Sequence, residues 1–313
     1  MNYYILCPEG IVTGGTELAH QLCAEILANG HSAKMYYTKS KVDTPIDKQA
    51  PEKYKKYNTS HVKDLEEVDK KGNIVVVPEG ITDWVFVFKN ASIVVWWMSV
   101  DNFYHKDHED YIIALNERVN LHLVQSEYAA DFLRKKQVKA EDIMWLSDYI
   151  GELFGQFVLP AQYRKDVVVF NPKKGFDNII PLMETCDFVE WKPLLNMTEE
   201  EMVLNMQIAK LYLDFGNHPG KDRIPREAAA CGCCVITNKE GSAAFFEDVP
   251  IGDEYKFDMP LDYEAVIAKM KEVLADFDNH FKRSDDYRAK IKAEKGKFSE
   301  DTKVFLQRTS QWG

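Results

Sequence analysis

Apolar residues follow two rhythms along this chain, continuous runs of strand length and stripes at helical spacing, and the two alternate from the start. Tyr3–Cys7 is a continuous apolar run. A glycine-bearing turn follows, and then Leu18, Leu22 and Ile26 recur at four-residue spacing, predicting a helix over Thr16–Ala28 that Gly30 stops. Ala33–Tyr37, Ile74–Val77, Ile93–Trp97 and Leu121–Gln125 are further strand-length runs, rich in Val and Ile as parallel strands covered on both faces require. Ser126 is placed to cap a helix over Glu127–Lys136. Periodicity is lost between Gly151 and Lys165, which marks a linker around Pro160.

The alternation then restarts. Val167–Phe170, Phe188–Trp191, Ala209–Phe215 and Val235–Thr237 read as strands. Between them lie helices over Phe176–Cys186, Thr198–Met206 and Pro225–Cys231. Helical stretches over Tyr263–Phe277 and roughly Asp286–Gln307 end the chain. Strand-helix alternation in both halves predicts an α/β protein with two doubly wound, Rossmann-like domains. The boundaries fall at 1–158 and 159–285, with a last helix over 286–313 crossing back toward the first domain. Ligands of such sheets bind beyond the carboxyl ends of the strands, and a cleft between the two domains is the expected place.

The length of 313 residues agrees with two domains of about 150 each. A formal charge of −11 argues against nucleic acid as a partner. No stretch approaches the roughly 20 apolar residues of a membrane span, and Met1–Pro8 lacks the basic lead of a signal peptide. Six cysteines, mostly in apolar segments, read as free buried thiols of a cytoplasmic protein. Cys231 and Cys234 are spaced C-x-x-C, yet no second ligand pair completes a zinc site. One stretch departs from the acidic average. Residues 34–63 hold eight lysines against three acids, with Tyr36, Tyr37, Tyr54 and Tyr57 among them. This is either a solvated loop or a peripheral contact with an anionic surface at the inner membrane face.

Three constellations carry candidate chemistry. Gly14, Gly15 and Thr16 stand between the first strand and helix, where glycine lets backbone approach a ligand and the helix N-terminus favours an anion. The glycines do not form G-x-G-x-x-G, and no acid ends the second strand, so a dinucleotide site is not indicated. The loop after the strand Ala209–Phe215 carries His218, Lys221, Asp222 and Arg223, charges suited either to a diphosphate or to a salt-bridged surface. Trp96–His105 follows a strand and brings Asp101 and His105 to a strand's carboxyl end, where each alone is more often a structural polar residue.

The run "GGTELAHQLCAEILANGHSAKMYY" resembles the opening of family 4-type retaining glycosyltransferases of the GT-B architecture. "LHLVQSEYAADFLRKKQV" resembles that family's last strand and helix of the first domain, and "AKLYLDFGNHPGKDRIPREAAACGCCVITNKEGSAAFFED" its donor-site block. The resemblance implies a nucleotide-sugar donor and a glycan, lipid-linked or other hydroxyl acceptor. Gly14, Gly15 and Thr16 would line the donor phosphates and acceptor. Glu227 would bind the donor ribose, since one carboxylate can accept both hydroxyls. Lys174 would neutralise the leaving diphosphate, helped by Lys173, Lys221 or Arg223, while His218 belongs to the same charged loop and Gly241 and Ser242 would offer N–H groups to phosphate. Asp101 or His105 would steer the sugar as the catalytic-loop residue. Two positions depart from the pattern: Pro219 stands where the first Glu of a spaced pair would be, and an Arg before Lys174 is missing.

The expected activity is retaining transfer of a sugar, in the service of polysaccharide biosynthesis. No metal and no other cofactor are expected, because Lys, Arg and helix N-termini supply the positive charge. A nucleotide-sugar epimerase on the same frame, or a binding protein that has lost turnover, are the alternatives, the second favoured by Pro219.

Overall fold

The continuous Val/Ile runs become strands that hide both faces. In the computed structural model, which describes residues 1–39 and 50–312, two compact units form: 1–148 together with 296–313, and 149–295. The first unit runs β1 (Asn2–Pro8), α1 (Gly14–Ala28), β2 (Ser32–Thr38), β3 (His61–Val62), α2 (Leu65–Val68), β4 (Ile74–Pro78), β5 (Ser92–Trp97), α3 (Glu109–Arg118), β6 (Leu121–Val124), α4 (Glu127–Lys135) and β7 (Ile143–Trp145). Its strands pair in the order β3-β2-β1-β4-β5-β6-β7, all parallel. Ile74 to Val77 are at most 1% exposed, as a strand covered by helices on both sides must be.

Helix α1 starts two residues before its sequence reading. Thr13 caps it, and Thr13 and Thr16 exchange side-chain and backbone hydrogen bonds in a capping box. Gly14 and Gly15 therefore lie inside the first turn rather than in the bend before it. Leu18, Leu22 and Ile26 are buried against the sheet. Ser126 caps α4 by accepting from the Ala129 N–H at 3.1 Å.

The second unit runs β8 (Lys165–Phe170), α5 (Phe176–Thr185), β9 (Glu190–Pro193), α6 (Glu199–Ile208), β10 (Ala209–Asp214), α7 (Arg223–Ala230), β11 (Cys234–Asn238), β12 (Lys256–Phe257), α8 (Tyr263–Ala275), α9 (Phe277–Arg283) and the start of α10 (Asp285–Thr309). Its parallel order is β12-β11-β10-β8-β9. Strand β9 sits two residues later than its apolar signal, at the sheet edge. The six cysteines are free and buried, and burial pushes the Cys231 and Cys234 thiols up to about 12. No helix among the described residues is long and apolar enough to cross a membrane.

The chain leaves the first unit at Asp148, ahead of the expected linker at Pro160. Residues 149–164 have no apolar period because they form no regular element except a short turn, yet Ile150 and Phe154 are buried in the second core. Arg164, 6% exposed, explains how such a stretch is held. Its guanidinium donates to the carbonyls of Leu159 (3.0 Å), Met206 (3.2 Å), Ala209 (2.8 Å) and Cys231, satisfying acceptors left over where helices α6 and α7 end. The last 18 residues, Gly296–Gly313, belong to the first unit although α10 is continuous. Phe298 and Phe305 are buried there, Phe305 lies 5.8 Å from the Tyr3 ring, and the Tyr3 and Thr309 hydroxyls meet at 2.7 Å.

That docking sets an order of effects. Phe305→Ala should cost about 3–5 kcal/mol by leaving a cavity. Tyr3→Phe should cost about 1 kcal/mol by removing one buried hydrogen bond. Denaturant unfolding of both variants measures the gap, and equal, small losses would mean that the C-terminal segment contributes nothing to the first core.

Candidate functional site

In each sheet one position has neighbouring strands whose following loops run to opposite sides, and a ligand crevice opens there at the carboxyl edge. In the first unit this switch point lies between β1 and β4, in the second between β8 and β10.

The first-unit switch point carries a cavity of ≈ 280 Å³. Thr13, Gly15 and Thr16 line one side, from the loop after β1 and the first turn of α1. Glu79, directly after β4, lines another, together with Met98 and Asn102 from the loop after β5. Tyr54, wholly buried, braces this site from a turn over Glu52–Tyr57. Its hydroxyl donates to the Thr13 carbonyl at 2.9 Å, accepts from the Thr13 N–H at 3.1 Å and lies 2.8 Å from Thr16 Oγ1. Lys53 and Lys56 reach the carboxylate of Glu17, at 3.7 and 3.0 Å, and Tyr57 donates to it at 2.8 Å. In the described part of the basic segment 34–63, Tyr37, Tyr54 and Tyr57 lie against His20 of α1, Tyr36 lies against Trp84 and Phe88, and Lys53 and Lys56 pair with Glu17 of α1. Lys41, Asp43, Asp47 and Lys48 lie outside the described residues.

Glu79 was not singled out by sequence, and only its place at the end of a buried strand could have pointed to it. It is 4% exposed, and its Oε2 accepts the Met98 N–H at 3.0 Å. Burial raises its pKa to about 7 despite the backbone N–H groups that favour the carboxylate. Asp101 and His105 are placed otherwise than expected. His105 stacks on Tyr111 at 3.8 Å between centroids and bonds Asp83 at 3.1 Å, and Asp101 accepts from Tyr128 at 3.1 Å and lies 3.8 Å from Lys106. Their neighbours Asn102 and Tyr104 line the cavity instead.

At the second switch point three loops close on one another. Gly175 has a left-handed backbone, φ 60°, and a Cβ there would lie 2.5 Å from the backbone of Phe215 and Gly216. Gly241, φ 53°, would place a Cβ 2.0 Å from the His218 carbonyl oxygen, which accepts the Ser242 N–H at 2.9 Å. Only glycine allows either approach. These contacts bring Lys174, His218, Gly241 and Ser242 together. Lys174 Nζ lies 2.6 Å from Asp222 Oδ2, His218 Nδ1 lies 3.0 Å from the same oxygen, and His218 Nε2 lies 3.8 Å from Asp214 Oδ1. Tyr212 donates to Asp214 at 2.7 Å. Burial pulls the His218 pKa down, but Asp222 and Asp214 outweigh it and hold it above the ordinary value. Burial likewise opposes ionisation of Asp222, and His218 and Lys174 reverse this. Asp214 and Asp222 are members of the cluster that the family resemblance did not supply.

Glu227 is 8% exposed and lies in the second turn of α7, since that helix begins at Arg223, two residues before its sequence reading. Its charge is felt at Tyr212: burial first, then Asp214, Asp222 and Glu227, push that phenol up. Lys221 turns elsewhere, to Glu294 at 2.9 Å, where Arg226 joins it at 2.6 Å. Arg223 donates to the Tyr149 carbonyl at 2.9 Å. Lys173 is exposed beside the cluster, and its N–H donates to Asn171 Oδ1 at 3.1 Å. A buried carboxylate can accept ribose hydroxyls, and a half-exposed ammonium can meet phosphate oxygens.

No protein-family model matches this chain, and no curated protein matches it in sequence. Solved structures do. Sucrose-phosphate synthase from Thermosynechococcus elongatus superposes with a TM-score of 0.70 over 100% of both chains at 14% identity. HepE from Anabaena, in complex with UDP-glucose, gives 0.69 over 98% of this chain and all of its own at 11% identity. A glycosyltransferase from Rickettsia africae gives 0.66 over 99% and 98% at 12% identity. The fold is that of GT-B glycosyltransferases.

Glu79 also makes a prediction about pH. A carboxyl whose folded pKa exceeds its unfolded value binds a proton more tightly when folded. Its contribution is therefore complete below about pH 4.5 and is lost as pH rises to about 7. Glu79→Gln should flatten the fall in thermal midpoint across that window relative to the parent. Parallel pH profiles for the two proteins would show that this carboxyl titrates normally.

Proposed function

We propose that this protein is a nucleotide-sugar-dependent glycosyltransferase, a hexosyltransferase-like enzyme that moves a sugar with retention onto a hydroxyl of a glycan or lipid-linked acceptor. The observation that carries the reading is the cluster at the β8/β10 switch point, where Lys174 follows β8 and the buried Glu227, on α7, follows the neighbouring strand β10. A nucleoside diphosphate has the complementary order of groups, vicinal ribose hydroxyls and then phosphates. Solved structures of the same fold include HepE bound to UDP and to UDP-glucose.

In this reading Glu227 accepts the ribose hydroxyls, and Lys174 leaves Asp222 for the diphosphate as negative charge develops on the departing oxygen. The N–H groups around Gly241 and Ser242 add neutral donors to the same oxygens. His218 keeps Asp222 compensated when Lys174 moves away. The first-unit cavity, with Gly14, Gly15 and Thr16 at its helix end, receives the acceptor. The acceptor hydroxyl attacks from the face the diphosphate leaves and passes its proton to the departing phosphate oxygen, which preserves anomeric configuration and asks no enzyme carboxylate to act as nucleophile. The cations are side chains, so the scheme uses no metal.

Calorimetric titration with uridine and UDP tests the assignment. Glu227→Gln should weaken both ligands by about tenfold, the loss of roughly 1.4 kcal/mol in a charge-assisted contact. Lys174→Ala should weaken UDP by about 10- to 100-fold and leave uridine unchanged. Variants that bind both ligands like the parent would place the donor site elsewhere.

A further inference from the structure

Helix α10 carries one stripe whose charge is out of keeping with its place. Arg288, Ile291, Lys292 and Lys295 stand at i, i+3, i+4 and i+7, the spacing of a single helical face. All four line a cavity of ≈ 460 Å³, whose opposite side includes the buried Ile150 and Phe154 of the irregular segment. Every residue lining it belongs to the second unit, and none of the charged residues gathered at the β8/β10 switch point is among them. The volume lies within the range of small-molecule sites, about 300–1,000 Å³.

A helical stripe set against Ile150 and Phe154 would ordinarily be apolar, yet three of its four residues are cations. Their countercharges fall short. Lys295 pairs with Glu152. The Arg288 guanidinium lies 4.1 Å from the centre of the Phe281 ring, and its Nη2 donates to the Phe281 carbonyl at 2.6 Å and to Asp285. Its Nη1 is buried and has no acceptor among the described residues. A buried donor left without an acceptor is costly and rare. Lys292, one turn further on, is exposed and pairs with no acid among the described residues. The cavity thus joins apolar surface to an unmet guanidinium N–H and a free ammonium, in a chain whose formal charge is −11.

Ligand classes separate on these features. A cation would meet three positive side chains against the one carboxylate of Glu152. A polyol would press hydroxyls against Ile150 and Phe154, whose side chains can return no hydrogen bond. A purely apolar molecule suits those residues and leaves Arg288 Nη1 as it is. An anion on an apolar body answers both parts. Its head takes charge-assisted bonds from Arg288 and Lys292, and its body covers the apolar side.

We propose that this cavity binds an amphipathic anion, a carboxylate or phosphate head on an aliphatic body, with Arg288 and Lys292 holding the head and Ile150 and Phe154 the body. The proposal is independent of the glycosyl-transfer reading.

Calorimetric titration with octanoate, octyl phosphate, octanol, octyltrimethylammonium, acetate and inorganic phosphate tests it, with each octyl compound below its micelle concentration. At least one of the two octyl anions should bind saturably, at least fivefold more tightly than octanol or octyltrimethylammonium and at least tenfold more tightly than acetate or phosphate. The tighter of the two names the acid the site takes. Lys292→Ala should weaken the octyl anions at least fivefold and leave octanol unchanged. Ala289, exposed and lining the same cavity, offers a plug. Ala289→Trp should abolish anion binding while circular dichroism stays that of the parent, and if that variant fails to fold, Lys292→Ala at an exposed side chain decides alone. Octanol bound as tightly as the octyl anions, acetate or phosphate bound as tightly as their octyl counterparts, anion binding indifferent to Lys292→Ala, or no saturable binding of either octyl anion would each overturn the proposal.

Discussion

Parallel pairing is the constraint from which the rest of this protein follows. A parallel strand cannot be reached by a tight turn, so the chain must cross back over the sheet, and its helices then cover both faces. Every strand pair described is parallel, and the sheet interiors are correspondingly dry. Polar side chains have few places left except the sheet edges. Glu79, Asp214 and Asn238 all stand within a residue of a strand's carboxyl end. The chemistry of both units is thus concentrated by topology before any ligand is considered.

The two edges are built on different electrostatic principles. At the second, the carboxylates of Asp214 and Asp222 are set against the Lys174 ammonium and against His218, whose pKa they hold above its ordinary value. Such a balanced group tolerates burial that a lone charge would not. It also means that the ammonium reaching solvent is already paired, so an incoming anion competes with Asp222 rather than filling an empty seat. At the first edge, among the described residues, backbone N–H groups are what compensates Glu79, and the carboxyl responds to burial by holding its proton more tightly.

The architecture was legible because it is written in long, strongly periodic segments. Leu18, Leu22 and Ile26 on α1, and the runs of β4 and β5, announce burial directly. The short strands β3, β7 and β12, two or three residues each, carry too few positions to show a period, and they escaped. Residues 149–164 looked like a linker because an irregular segment pinned by Arg164 has no rhythm either. Helix α7 began earlier than expected since Pro225 is tolerated throughout a first turn, so it marks a start only loosely. The cluster at β8/β10 was partly legible: Lys174, His218, Gly241 and Ser242 converge. Lys221 and Arg223 find partners far along the chain, for a reason no local pattern contains. Glu294, about seventy residues downstream, claims Lys221, and the carbonyl of Tyr149 claims Arg223. Tyr54 and Glu79 share that difficulty, being single residues whose importance arises from what the fold sets beside them.

The glycine contacts at the second edge bear on how such a chain could diversify. Gly175 is wedged against the backbone of Phe215 and Gly216, and Gly241 against the carbonyl of His218. Three loops from three separate strands are therefore mutually templated, and none can change its path alone. Descent with altered ligand choice would have to proceed by exchanging outward side chains on a frozen backbone. Lys173 and Asn217, both exposed on these loops, are where such exchanges are cheapest. A lineage carrying this edge should vary in its side chains long before it varies in its loop lengths.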